Sequence, residues 1–304
     1  MEDGLAYKYI LTESFDGGAI QRITLNRPEA RNAQNRGMLV ELNEAFMAAE
    51  AEDGVRVVIL AGAGPIFSSG HDMGSKAQLE SYMPGPNQHV TSRTNGGTLK
   101  AAEKRTLQEW HYFFQNTLRW RNLRKTTIAQ VHGKVISAGL MLMWACDLIV
   151  AAEGTTFSDV VGTRLGMCGM EYFAHPWEFG PRKTKEMMLT GDAIDVEEAY
   201  RLDMVSKIYP KDELAARTLD FARRIAKVPT MAALMIKESV NQSVDAMGFH
   251  NALNACFTLH QLNHTHWESL HGGEAAGGRP IAYPEDGVPD WKDAPPVELA
   301  QRDR

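Results

Sequence analysis

Two turns rich in small residues carry the clearest chemical signal in the sequence. One lies at residues 67–73 (FSSGHDM) and the other at residues 137–139 (SAG), and each follows an apolar run typical of a buried strand. A helix that begins directly after such a turn has backbone N–H groups without intrahelical partners. If the two turns face each other, these groups could stabilise an oxygen that becomes negative during a reaction. The pattern therefore predicts an oxyanion hole, with two tight connections of no chemical role as the alternative.

Acidic and histidine side chains between residues 132 and 175 could move protons beside such a hole. The candidates are Glu171, Asp159, His132 and His175. For Asp159 a capping role is the favoured interpretation, and His132 and His175 are interpreted as structural residues. For Glu171, a proton carrier and an ordinary surface or capping carboxylate are equally good interpretations.

The histidines near the C-terminus suggest a metal site at first sight. His260 and His264 would share one face of a helix, and His266 and His271 follow. No carboxylate or cysteine completes a ligand set at the usual sequence spacing. We therefore expect no metal ion and no permanently bound cofactor, and we interpret these side chains as part of a helix that packs on another subunit.

The elements that must position these residues alternate between strands and helices. Strands are predicted at residues 19–25, 55–61, 127–131 and 147–151, and helices at residues 38–49, 107–123, 138–145, 214–226, 230–241 and 247–270. Two strand–turn–helix units of this kind indicate a stacked β-β-α superhelix, although the same periodicity would fit a doubly wound sheet.

A core at residues 1–228 and a helical region at residues 229–304 are the predicted divisions of the chain. Residues 74–105 contain several Gly and Pro and few aliphatic side chains, so we expect a lid-like insertion there. The region from residue 229 onward is expected to mediate oligomerisation and to end in an extended tail.

Composition narrows the class of protein. The 304 residues are 44% apolar and carry a formal charge of −6, and Lys and Arg do not cluster, so nucleic acid is not an expected partner. Three widely spaced cysteines fit no disulfide framework. No apolar run is long enough to span a membrane, and the N-terminus lacks a signal-like apolar segment. The expectation is a soluble cytoplasmic protein.

Five segments together resemble the crotonase (enoyl-CoA hydratase/isomerase) superfamily. They occur in the order found in that family, at residues 26–33 (NRPEARNA), 67–73, 126–150, 189–206 and 237–241 (KESVN). The resemblance implies an α/β fold, a crotonase-like spiral of β-β-α units with a helical C-terminal trimerisation region. It also implies an acyl-coenzyme A (acyl-CoA) thioester as substrate and assembly as a homotrimer or a dimer of trimers.

The resemblance also assigns roles to particular positions. The backbone N–H groups of His71 and Ala138 would form the oxyanion hole. The apolar residues that follow Ala138 suggest a hydrophobic acyl pocket, although Met at helical spacing is more often simple core. Contacts with coenzyme A and the rest of the substrate are assigned to Glu29, Ala30, Arg31, Ala33, Asp72, Met73, Met141 and Trp144.

The family's usual pair of catalytic glutamates is not expected in this sequence. The resemblance places Met141 at the first position and Val161, or Gly162, at the second, and none of these can transfer a proton. Glu171 lies within one residue of an aspartate carried by the dienoyl-CoA isomerase and dehalogenase branches. Glu171 is therefore the first candidate for a general base or a nucleophile, followed by Asp159.

Enolate chemistry on an acyl-CoA is the predicted function, either as hydration and dehydration or as double-bond isomerisation. An acyl-CoA hydrolase or decarboxylase of the same superfamily is an alternative, since one acid–base group can serve such reactions. A protein that binds acyl-CoA without turning it over is a third alternative.

Overall fold

Two sheets organise the computed structural model, which describes residues 7–73, 75 and 91–270. In the described residues the strands are, in chain order, β1 (Ile10–Phe15), β2 (Ile20–Leu25), β3 (Val57–Gly62), β4 (Thr126–Val131), β5 (Lys134–Ile136), β6 (Leu148–Ala152), β7 (Thr156–Ser158), β8 (Ile194–Asp195) and β9 (Lys207–Tyr209). The large sheet has the order β1-β2-β3-β4-β6-β9, and the small sheet has the order β5-β7-β8. Only β1 pairs antiparallel in the large sheet, so its other strands need crossover connections.

Helices supply these crossovers and the C-terminal region. They are α1 (Arg36–Ala51), α2 (Ala101–Gln108), α3 (Asn116–Arg121), α4 (Ala138–Trp144), α5 (Val161–Leu165), α6 (His175–Glu178), α7 (Gly180–Thr190), α8 (Val196–Arg201), α9 (Leu214–Ala226), α10 (Thr230–Ala246) and α11 (Phe249–Leu270). A π-helical segment, Glu109–Gln115, joins α2 to α3. Such segments are rare and occur frequently at functional sites.

The chain winds as a spiral of β-β-α units. It passes from β4 in the large sheet to β5 in the small sheet and then into α4, and next from β6 to β7 and then into α5. The two units stack because β4 pairs with β6 and β5 pairs with β7, both in parallel. The expected α/β spiral is therefore confirmed, and the doubly wound alternative is excluded.

The central strand β3 shows why the large sheet is buried on both faces. Val57 and Ile59 pack with Leu214 of α9 on one face, whereas Val58 and Leu60 belong to the main core on the other. All four strand residues are completely buried. Alternate side chains of a strand point to opposite faces, and a continuous apolar run is typical of a parallel strand covered on both sides.

The helix α1 follows directly from its sequence. The Asn35 side chain caps it by accepting a hydrogen bond from the Met38 N–H at 2.8 Å. Met38, Leu42 and Phe46 recur at helical spacing and are buried in the main core. The helix consequently begins directly after Asn35 and packs one face into the main core.

The predicted insertion at residues 74–105 differs from the structure at its C-terminal end. Residues 101–105 form the first turns of α2, and the Thr91 hydroxyl is hydrogen-bonded to the Tyr112 hydroxyl. Residues 74 and 76–90 and the predicted tail from residue 271 lie outside the described residues. Among the helices that the structure describes, none is both long and apolar enough to cross a membrane.

Candidate active site

The two small-residue turns lie against each other. The Ile136 N–H donates to the Ser68 carbonyl oxygen at 3.0 Å, and Ser68 forms a parallel bridge with Val135. Gly70 between them has a φ of +92°, and a Cβ there would lie 3.0 Å from the Ile136 oxygen and 3.1 Å from the Ala138 nitrogen. Glycine at this position therefore allows the two turns to approach closely.

Among the described residues, the N–H groups of His71 and Ala138 have no backbone hydrogen bond outside regular helices and strands. The Gln34 backbone N–H donates to the Gly70 carbonyl oxygen at 2.8 Å, and the Gln34 carbonyl oxygen accepts from the Asp72 N–H at 3.1 Å. The N–H of His71, which lies between them, takes no part in this bridge. Ala138 is the first residue of α4, where N–H groups have no intrahelical acceptor. These are the two positions that the sequence assigned to an oxyanion hole.

Asp159 is hydrogen-bonded to the turn at Ser137, the residue that precedes Ala138. Ser137 has a φ of +47°, in a region that non-glycine residues rarely adopt. Asp159 accepts hydrogen bonds from the Ser137 hydroxyl at 2.9 Å and from the Val161 N–H at 3.1 Å, and it pairs with His175 at 3.1 Å. Asp159 and His175 are completely buried. The N-cap of α5 is Val160, so Asp159 is not the capping residue, and its hydrogen bonds instead connect the Ser137 turn to the first residue of α5.

Glu171 lies directly beside the side chain of His71. Its Oε1 atom is 3.7 Å from the His71 Nδ1 atom and 3.7 Å from the His260 Nε2 atom. Only 4% of Glu171 is exposed, so it is not a surface carboxylate. Because a buried carboxylate without partners is strongly unfavourable, these two imidazoles explain how the structure accommodates it.

The His71 side chain is held between Glu171 and an aromatic ring. It stacks on Phe113 of the π-helical segment, with ring centroids 3.8 Å apart. Burial lowers the pKa of His71 despite the nearby carboxylates of Glu171 and Glu109. The neutral imidazole is therefore the form expected at neutral pH.

Glu109 joins this group from a distant part of the sequence. Its Oε2 atom is 3.4 Å from the His260 Nε2 atom, and its Oε1 atom is 3.6 Å from the His264 Nε2 atom. Burial alone would lower the pKa of His260, but the hydrogen bond and charge of Glu109 and the charge of Glu171 raise it to about 9. Burial lowers the pKa of His264 to about 4.

The contact with Glu109 corrects one step of the sequence argument. No carboxylate accompanies His260 and His264 at a usual sequence spacing, but Glu109 completes a set of three possible metal ligands in space. In the sequence, Glu109 was recognisable only as an acidic residue among the apolar residues of the helix predicted at 107–123. Sequence spacing alone did not associate it with α11.

The residues placed at the two glutamate positions of the family are apolar and buried. Met141 and Val161 are 2% and 8% exposed. Trp144, on the same helix as Met141, packs edge-on against His175 and Phe179 at 4.8 Å and 5.6 Å between ring centroids. Neither the thioether of Met141 nor the isopropyl group of Val161 can transfer a proton.

The segment predicted to hold coenzyme A is tied to the first small-residue turn. Arg31 is exposed and has a φ of 55°, and its carbonyl oxygen accepts from the Ser69 N–H at 3.0 Å. Asn32 is buried and donates from its side chain to the carbonyl oxygens of residues 63, 66 and 67. Glu29 is also exposed, whereas Ala30 and Ala33 are half-buried. The segment thus offers an accessible edge next to the turn at residues 67–73.

Asp72 and Met73 end the same turn in different environments. The Asp72 carboxylate pairs with Arg27 at 2.9 Å and accepts from the Ser75 N–H at 2.9 Å, and it is 7% exposed. Met73 is 47% exposed at the boundary of the described residues. The Asp72 side chain therefore forms hydrogen bonds within and next to this turn.

His132 also has a structural contact. Its Nε2 atom lies 2.9 Å from the Gly64 carbonyl oxygen.

Comparisons with known proteins agree with this architecture. The model of the family Enoyl-CoA hydratase/isomerase matches residues 16–95 and 94–294. The chain is 63% identical over 298 residues, 98% of this chain and 92% of the relative, to the Mycobacterium tuberculosis protein named "Putative enoyl-CoA hydratase EchA13". It is 28% identical to "4-chlorobenzoyl coenzyme A dehalogenase-2" of an Arthrobacter species, over 84% of this chain and 83% of that protein.

A solved structure shows the same fold. The crystal structure titled "probable enoyl-CoA hydratase" from Mycobacterium smegmatis matches with a TM-score of 0.76 and 40% identity, covering 87% of this chain and 98% of that one. The family model and the 63% identical relative each cover most of the chain. The chain therefore belongs to the enoyl-CoA hydratase/isomerase family of enzymes, within the crotonase superfamily.

Proposed function

We propose that this enzyme forms an enolate from an acyl-CoA thioester and moves the proton with Glu171, in a double-bond isomerisation or a hydration. The observation that carries the proposal is the contact between the buried Glu171 carboxylate and the His71 side chain, 3.7 Å apart. The N–H of His71 is itself half of the proposed oxyanion hole. The base would therefore lie close to the carbon atom beside the thioester carbonyl.

In the isomerase reaction the residues act in a fixed order. The thioester oxygen accepts hydrogen bonds from the N–H groups of His71 and Ala138, which lowers the energy of the enolate. Glu171 removes a proton from the α-carbon, and the electron pair is delocalised into the enolate. The same carboxyl group returns the proton to the γ-carbon, which shifts the double bond and restores the carbonyl. No second acid–base group is needed.

The surroundings of the site favour one acid–base residue over two. Met141 and Val161 are buried and apolar where the family's two glutamates are expected, and Asp159 is occupied by Ser137, Val161 and His175. We propose that this member works without that pair. A hydration would then require Glu171 to activate the water as well. No resident cofactor is included in the proposal, and the CoA thioester enters as substrate.

A homotrimer or a dimer of trimers is the assembly that we propose. On α10, the side chains of Met231, Ile236 and Val240 are 66%, 61% and 57% exposed in the single chain. Large apolar side chains grouped on one helix are typical of an interface between subunits. α11 adds Leu259 and Leu262, which are 57% and 63% exposed.

The experiment is to incubate the enzyme with a panel of acyl-CoA thioesters in deuterated water and to follow the products by mass spectrometry. We expect deuterium at the α- or γ-carbon, and a fall of about 10²- to 10⁴-fold in its rate of incorporation for Glu171→Gln. The matched control is Glu186→Gln, whose side chain is 54% exposed on α7. Unchanged incorporation in Glu171→Gln would show that the base is assigned wrongly.

The other candidate functions give different products in the same experiment. A hydrolase would release free coenzyme A, a decarboxylase would lose the mass of carbon dioxide, and a hydratase would add the mass of water. Binding of acyl-CoA without any of these changes would show that the protein is a non-catalytic binder, and the enolate proposal would be wrong.

A further inference from the structure

We propose that Glu109, His260 and His264 bind a divalent first-row transition metal ion, with zinc as the ion that this donor set suits best. Two imidazole nitrogens and one carboxylate are a ligand set found in catalytic zinc sites, and the same set also binds iron(II). This proposal goes beyond the enolate chemistry and does not depend on it, because metal binding is measured without substrate.

The donor atoms have the separations that one metal ion requires. Zinc lies about 2.0–2.1 Å from its nitrogen and oxygen ligands, so ligand atoms in a tetrahedral site are about 3.3–3.4 Å apart. The Nε2 atoms of His260 and His264 are 3.1 Å apart. The Glu109 oxygens lie 3.4 Å from the first of these nitrogens and 3.6 Å from the second. The ion would therefore bind with little movement of the side chains.

The surrounding contacts direct the correct atoms inward. His260 Nδ1 lies 2.8 Å from the Gly169 carbonyl oxygen, which fixes the proton on Nδ1 and leaves Nε2 to face Glu109. Gln261 donates to Glu109 Oε2 at 2.5 Å and orients the carboxylate. Metal ligands are commonly positioned by such outer hydrogen bonds to a carbonyl or a carboxylate. The two histidines are one turn apart on α11, and Glu109 is on the π-helical segment that faces them.

Burial explains why the three groups need a partner. Glu109, His260 and His264 are 8%, 4% and 8% exposed. Buried charged groups are normally paired or coordinate a metal. An ion pair between the Glu109 carboxylate and a protonated His260 is the competing explanation, and it predicts that zinc has no affinity for the site.

With these three protein ligands, a bound metal ion would keep a fourth coordination position open. Three protein ligands with an open fourth position are typical of catalytic metal sites, whereas structural zinc sites have four protein ligands. Glu171 lies 3.7 Å from His260 Nε2 but outside the group whose donor atoms are all within 4.8 Å of one another. A water molecule bound to the metal would therefore lie within reach of Glu171, and the metal would make that water more acidic.

Zinc binding to the tag-free, full-length protein tests the proposal. The protein is dialysed against a chelator and then against buffer, and zinc chloride is titrated by calorimetry with elemental analysis of the product. We expect one zinc ion for each chain. Cobalt(II) in place of zinc should give visible d–d absorption without a thiolate charge-transfer band, because the ligands contain no sulfur.

Variants identify the ligands. We expect His264→Ala and Glu109→Gln to weaken zinc binding by more than about 100-fold, because losing a ligand should exceed the 10- to 100-fold effect of losing an outer partner. The matched control is His266→Ala, an exposed histidine of the same helix. Cys168→Ser controls for the exposed thiol. Circular dichroism and thermal unfolding check that each variant is folded.

Two results would overturn the proposal. In the first, the wild-type protein binds no zinc after chelator treatment. In the second, folded His264→Ala binds zinc as tightly as the wild type does. Either result would identify the group as a buried ion pair. Neither would affect the deuterium experiment on Glu171, so the two proposals can fail separately.

Discussion

Replacing Gly70 by alanine should damage the proposed oxyanion hole through the backbone alone. The new Cβ would lie 3.0 Å from the Ile136 oxygen and 3.1 Å from the Ala138 nitrogen, closer than carbon atoms normally approach backbone atoms. To restore ordinary van der Waals distances, the two turns would have to separate by roughly a few tenths of an ångström. That movement displaces the Ala138 N–H from the position in which it complements His71.

The magnitude has two parts. Alanine at the φ of +92° destabilises the fold by about 1–2 kcal/mol, and the forced contact adds about 1–3 kcal/mol. Gly154→Ala is the matched control, because its φ is +72° but no atom lies within 4 Å of the added Cβ. Gly154→Ala should therefore show the conformational part alone, about 1–2 kcal/mol, with no effect on catalysis.

Urea denaturation measures the stability of both variants, and deuterium incorporation into the substrate measures their rates. We expect Gly70→Ala to lose about 1–3 kcal/mol more stability than Gly154→Ala. If one oxyanion donor is misplaced, the rate should fall by about 10²- to 10³-fold. If the two variants have the same stability and the same rate, the contact between the turns is not tight and the oxyanion assignment is refuted.

Three further predictions concern other parts of the molecule. Arg27→Met removes the guanidinium that pairs with the buried Asp72 carboxylate. Because Ser75 still donates two hydrogen bonds to it, urea denaturation should show a loss of about 1–3 kcal/mol in the free energy of unfolding. Burial raises the pKa of Glu178 to about 7, so folding stability should fall as pH rises from about 5 to 8, because the unfolded carboxyl group is already ionised. Glu178→Gln should match the wild type in thermal unfolding at pH 5 and exceed it at pH 8, and equal stability at both values would contradict this. Ile236→Glu places a charge on the exposed apolar face of α10, and light scattering should show smaller assemblies than the wild type forms.

The long elements of the fold could be predicted because their sequence patterns are local. β3 is a continuous apolar run, and α1 repeats apolar residues over four turns. Each pattern extends over enough residues to identify its element. β5, β7 and β8 have only two or three residues, which is too short to show alternation. β1 buries only Ile10 fully and exposes its next four residues, so no buried face marked it as a strand.

The sequence indicated the two small-residue turns that the structure brings together, but it did not indicate the side-chain contacts around them. His71 and Ala138 follow small-residue turns, and the turn chemistry is visible in the sequence. The contacts of Glu171 depend on where α11 and the π-helical segment meet the core, which no local pattern encodes. Ser137 adopts an unusual backbone conformation and is hydrogen-bonded to Asp159 of another β-β-α unit. The periodicity of a sequence does not predict contacts between residues that are distant along the chain.

The π-helical segment explains how one stretch of chain serves both halves of the site. Hydrogen bonds in a π-helix run from residue i to i+5, so residues four or five apart lie along one face. Glu109 and Phe113 are four apart, and they contact His260 and His71 respectively. The π-helical segment thus contacts the side chain of His71, whose N–H we propose as an oxyanion donor, and supplies the carboxylate that pairs with α11. A shift of this segment would displace Glu109 from His260 and Phe113 from His71 at the same time, so its register affects both the proposed metal ligands and the side chain next to the proposed base.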